Sequence, residues 1–112
     1  MANALTGEVA FTVDGEEMIL LIDINALCVV EDRLGKKTAD IVGDLEAMGL
    51  SMLRTIFWAG LQDHRPGLSP KEAGKIIQQI TPPKARELVM QAFIASFPVP
   101  QEGDEAAEGE GP

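Results

Sequence analysis

The chain has 112 residues, 46% of them apolar, and a net charge of −9 from 18 acidic and 9 basic side chains. That length allows one small domain able to bury a core without metal or disulfide staples. The negative charge repels a phosphate backbone, and with 4% aromatic residues and no tyrosine the chain lacks a stacking platform for single strands, so no nucleic acid is expected as a partner.

The single cysteine, Cys28, excludes an internal disulfide framework and fits a reducing cytoplasm. The opening Met1–Glu8 lacks a basic region followed by an apolar core, and no apolar run approaches the roughly 20 residues that span a bilayer. A soluble cytoplasmic protein with no membrane partner is therefore expected.

Residues 6–22 read as a β-hairpin. Val9, Phe11 and Val13 alternate with Glu8, Ala10 and Thr12, and Asp14-Gly15 is the dipeptide favoured in a two-residue type I′ turn. With that loop Phe11 faces Met18, Val9 faces Leu20 and Gly7 faces Ile22, which makes one apolar face. The other face pairs Ala10 with Ile19 and Glu8 with Leu21. It is less polar than a solvated hairpin needs, so Ile19 and Leu21 are expected to meet a helix, a second copy or a partner. A two-stranded ribbon is marginal alone and needs such support.

Asp23 is placed to cap a helix over 24–34, with Gly35 suited to a left-handed exit. Leu27, Cys28, Val30 and Leu34 are its expected buried side, which makes Cys28 a small core residue rather than a nucleophile. A short helix follows within 36–49, capped by Thr38, with Ile41, Val42, Leu45 and Met48 inward. The central helix starts after Gly49 and runs toward His64, with Ser51 as its cap. Leu50, Leu53, Phe57 and Leu61 recur at helical spacing, Met52, Ile56 and Ala59 widen the stripe, and Arg54, Gln62 and Asp63 are left to water. Trp58, the only tryptophan, reads as core packing rather than a ligand-stacking surface, since a buried indole needs one hydrogen-bond partner.

Pro66 and Gly67 end the central helix. Ser69-Pro70-Lys71-Glu72 then carries the signature of a capping box before Ala73, Ile76, Ile77 and Ile80. Thr81-Pro82 repeats the cap-plus-proline pattern, and a last helix to about Ser96 presents Ala85, Leu88, Val89, Ala92, Phe93 and Phe97. Beyond Phe97 lie Gly, Pro, Ala and five acids with no base, a composition of a disordered acidic tail. The expected fold class is α+β and mostly helical: residues 1–97 form one hairpin-plus-helices domain with four or five short helices, and 98–112 form the tail.

Catalytic constellations are scarce. His64 is the single histidine, too few for a zinc cluster or a Ser-His-Asp arrangement, and neither common phosphate-binding glycine motif occurs. Glu16-Glu17 and Glu31-Asp32 are adjacent pairs whose carboxylates point apart. The tail acids lack the ligand alternation of a calcium loop. No enzyme activity, cofactor, metal or small-molecule substrate is expected.

The order of motifs resembles a known family. Gly7-Glu8-Val9-Ala10-Phe11-Thr12-Val13-Asp14-Gly15, Ala26-Leu27 through Glu31 to Leu34-Gly35, Ile56 through Gly60-Leu61, Leu68-Ser69-Pro70-Lys71-Glu72-Ala73-Gly74, and Ala92-Phe93 through Phe97-Pro98 are similar to short tail-cluster proteins of gene transfer agents and tailed bacteriophages. That family is grouped with phage tail assembly chaperones and also carries a tail-tube label. The resemblance covers about residues 5–98 and implies a non-enzymatic role in tail morphogenesis, with a tape-measure or tail tube protein as partner. A structural tail or connector subunit, present in phage-like particles and able to self-associate, is the alternative, and an unrelated bacterial helical adaptor is a third. Phe11, Met18, Ile19, Leu21, Phe57 and Trp58 are the candidate partner-binding residues.

Overall fold

A computed structural model describes residues 7–97, and the expected acidic tail over 98–112 lies outside the described residues. The chain forms two strands, β1 (Glu8–Val13) and β2 (Glu16–Leu21), then α1 (Ile24–Leu34), α2 (Thr38–Gly43), a 3-10 turn (Leu45–Ala47), α3 (Leu50–Leu61), α4 (Pro70–Ile80) and α5 (Pro82–Ser96). This is the expected α+β hairpin followed by five helices.

The hairpin takes the register its turn dictates, with Phe11 opposite Met18, Val9 opposite Leu20, Ala10 opposite Ile19 and Glu8 opposite Leu21. Asp14 and Gly15 have φ of 53° and 78°, the positive pair that a type I′ turn requires. One hairpin face enters the core through Phe11, Val13, Met18 and Leu20, with Ile22 following. α3 is the element against which the rest packs: it touches α1, α4, α5 and β2. Gly60 lets α3 approach β2 closely, since a Cβ there would stand 2.6 Å from Leu20 Cδ1. Phe57 meets Phe11 with ring centroids 5.6 Å apart.

Helix α1 begins as expected, the Asp23 carboxylate accepting from the Ala26 N–H at 2.9 Å, and ends at Gly35 with φ 66°. Cys28, however, is exposed rather than in the core. Ala26, Leu27 and Val30 hold the buried side, and Cys28, a further 100° around from Leu27, falls on the opposite face.

Two expected caps do not form, and a third residue stands at its cap position without a side-chain bond. Thr38 is the first residue of α2, not its cap: its N–H and hydroxyl both donate to the Glu31 carboxylate at 2.6 Å, tying α2 to α1. Ser51 lies inside α3, whose N-cap is Gly49 without a side-chain bond, and its carbonyl accepts from the Thr55 hydroxyl at 2.9 Å. Thr81 joins two helices. Its N–H donates to Ile77 O at 2.7 Å and its carbonyl accepts from the Ala85 N–H at 3.0 Å, which holds φ at 81° with no cap bond from its side chain. Ser69, by contrast, makes the full capping box, accepting from the Glu72 N–H at 3.1 Å while the Glu72 carboxylate accepts from the Ser69 N–H at 2.8 Å.

Candidate partner-binding surface

Three of the six candidate binding residues belong to the core. Phe11, Met18 and Phe57 are 8%, 4% and 0% exposed, so a partner docking on the folded chain does not reach them. The pleat explains this, because the hairpin face that carries Phe11 and Met18 is the one α3 covers.

Trp58 lies half-buried beside the core. Its indole N–H donates to Leu68 O at 2.8 Å, and Gln62 Nε2 donates to the same carbonyl at 3.0 Å. The Arg33 guanidinium covers the ring at 4.6 Å from its centroid, a cation–π contact. The indole thus fastens the loop between α3 and α4, and its face is already occupied by α1.

Two further contacts hold that loop to the hairpin. His64 Nε2 meets Glu8 at 3.0 Å, and the Arg65 guanidinium pairs with Glu16. Gln79, near the end of α4, donates to Asp14 in the hairpin turn at 2.8 Å. On the α1 side, Glu31 is held below its ordinary pKa by the Thr38 hydroxyl first, then the Thr38 N–H, with the Lys37 charge adding to them. The contacts of His64, Arg65 and Gln79 fix the orientation of the hairpin against the helices.

Ile19 and Leu21 are half-buried on the outer hairpin face. Leu21 lines a cleft of about 170 Å³ with Ala26, Val29 and Ala59, rimmed by Asp23, Asn25, Gln62 and Asp63. Ile24, the first residue of α1, is 64% exposed beside it. The segment from Ile19 to Ile24 thus presents three large aliphatic side chains at or near the surface. Ile24 escapes a stripe count because it precedes the helical repeat, although its place directly after the Asp23 cap marks it as terminal.

A second apolar surface lies at the start of α3. Leu50, expected in the core stripe, is 63% exposed and lines a groove of about 380 Å³ with Ser51, Arg54, Gly74, Ile77, Gln78 and Pro82. Its angular position agrees with Leu53 and Phe57, but α4 and α5 leave a gap opposite the first turn. Val42 likewise lies outward, 41% exposed, while Ile41 takes the inward position on α2.

Among the described residues no group of His, Cys, Asp and Glu has the arrangement of a metal site, and no helix is long and apolar enough to cross a membrane. Comparison with protein-family models, curated proteins and solved structures finds no match.

Proposed function

We propose that this chain is a non-enzymatic tail-morphogenesis protein of a phage-like particle, an assembly chaperone that holds a tape-measure or tail tube protein soluble in the cytoplasm. The ordered motif set of the sequence supports the tail assignment. The observation that carries a binding role is the set of aliphatic side chains Ile19, Leu21 and Ile24 at or near the surface, with Leu21 lining an open cleft, where the hairpin, anchored to the helices by Glu8–His64 and Arg65–Glu16, passes into α1. An apolar strip on a rigid ribbon suits an apolar segment of another chain, taken either against the face or along a strand edge.

Co-expression with a tape-measure protein tests this. A soluble complex is expected, weakened by Ile19→Lys with Ile24→Lys while the fold is retained. No association at low salt, with both proteins folded, refutes the proposal.

The free edges of the two-stranded ribbon favour a second reading, a structural tail or connector subunit joining sheets between neighbouring copies. Mass spectrometry of purified particles separates the two, since a subunit is present in stoichiometric amount and a chaperone is absent.

A further inference from the structure

The groove at the first turn of α3 combines an apolar lining with positive charge that no acid neutralises. Leu50, Ile77 and Pro82 give its apolar walls, and the stem of Arg54 packs on Gly74, where a Cβ would stand 3.2 Å from Arg54 Cδ. Arg54 lines it, and Lys71, three residues before Gly74 on α4, stands on the same helix face. Neither cation pairs with an acid among the described residues. This is an unusual place for free positive charge, because residues 7–97 carry thirteen acids against nine bases.

An occupant suited to this groove has small apolar side chains for the walls and carboxylates on either side of them. The chain contains such a segment in Asp104-Glu105-Ala106-Ala107-Glu108. Its reach is sufficient. α5 begins at the groove with Pro82 and is 15 residues long, so it ends about 22 Å away at 1.5 Å per residue. The nine residues from Pro98 to Ala106 span up to about 30 Å when extended, so a chain leaving Phe97 can run back along α5 and set Ala106 and Ala107 against Leu50 and Ile77.

We propose that the groove formed by Leu50, Arg54, Gly74, Ile77 and Pro82 is a docking site for the chain's own acidic C-terminal segment, with Ala106-Ala107 on the apolar walls and the flanking carboxylates facing Arg54 and Lys71. Exposed ion pairs contribute little each and are screened by salt. A short tether offsets that weakness, since it supplies an effective concentration in the millimolar range. The contact is therefore reversible and salt-sensitive, and an external acidic segment would have to displace the tail. This goes beyond the proposed assembly role and does not depend on it.

Paramagnetic relaxation tests the docking on the full chain carrying Cys28→Ser and Ala107→Cys with a nitroxide on the new thiol. At low salt the amide signals of Leu50, Gly74 and Ile77 are expected to lose about half their intensity or more, as the millimolar effective concentration implies, and to recover at high salt. The same broadening should vanish in Arg54→Glu/Lys71→Glu, two exposed positions, with far-UV circular dichroism confirming the fold. Groove amides unaffected at low salt overturn the proposal, as does broadening that persists in the charge-reversed chain. Broadening seen only between separately spin-labelled and isotope-labelled copies overturns it in favour of a second copy as occupant.

Discussion

Gly60 offers the sharpest test of the packing between α3 and the hairpin. In a solvent-facing helix, glycine to alanine gains about 1 kcal/mol from backbone entropy and helix propensity. Here the new methyl would stand 2.6 Å from Leu20 Cδ1 and 3.2 Å from Ile22 Cγ1. Both side chains are almost wholly enclosed, 0% and 1% exposed, so neither can swing away without disturbing others. Overpacking of this kind costs about 1–3 kcal/mol, which outweighs the helical gain and leaves Gly60→Ala destabilised by about 1 kcal/mol. Urea unfolding followed by far-UV circular dichroism reads the midpoint, and a melt should show a fall of about 4–8 °C for a domain of this size. Leu20→Ala alone should cost about 2–5 kcal/mol through the cavity it leaves. Adding Gly60→Ala in that background should recover stability, because the methyl then enters vacated space. The pair is therefore coupled with opposite signs in the two backgrounds. Stabilisation of the parent chain by Gly60→Ala, or simple additivity of the two changes, would refute the close approach of α3 to β2.

Gly15→Ala should cost about 1 kcal/mol of stability from the left-handed backbone alone, since φ is 78° and a Cβ there meets nothing within 4 Å; no change in the urea midpoint would contradict the type I′ turn. Trp58→Phe should cost about 1 kcal/mol, the worth of one hydrogen bond, because Gln62 continues to satisfy the Leu68 carbonyl; a loss several times larger would mean that the indole ring itself is core. Glu31 is held below its ordinary value of 4.5 in the folded chain, so its stabilising contribution is complete above that value and is lost as the pH falls through the lowered folded-state value. Glu31→Gln should thus melt lower than the parent at neutral pH and converge with it in acid, and a constant gap across that range in calorimetry would contradict the Glu31–Thr38 clasp.

The elements with local chemical causes were legible in the sequence. Asp14-Gly15 fixed the hairpin register residue by residue, Asp23 and Gly35 bounded α1, and Ser69 with Glu72 announced the start of α4. The errors share a different cause. Cys28 and Leu50 each belonged to a plausible periodic set, but periodicity gives only the angular position of a side chain. Whether anything stands opposite it depends on how the other elements pack. Thr38 and Ser51 are good capping residues in isolation, and tertiary contacts or the chain path put the helix start one or two residues earlier. For the candidate surface, alternation separated the outer-face pair Ile19 and Leu21 from the inner-face pair Phe11 and Met18. It could not show that the inner face is covered by α3.

The two apolar surfaces have a common origin in how helices begin. Ile24 and Leu50 are the first residues of α1 and α3, directly after the caps Asp23 and Gly49, and they are the most exposed large apolar residues described, at 64% and 63%. Helical side chains lean toward the N-terminus and lie over the preceding turn. A first residue has no preceding turn, so it extends past the helix end and borders whatever gap the incoming chain leaves. At Leu50 that gap is the groove below Pro82, and Ile24 stands between Asp23 and Asn25, which line the cleft beside Leu21. The surroundings then divide their uses: Asp23 and Asp63 rim the cleft, whereas Arg54 lines the groove. An acidic segment is thus repelled by the first and attracted by the second.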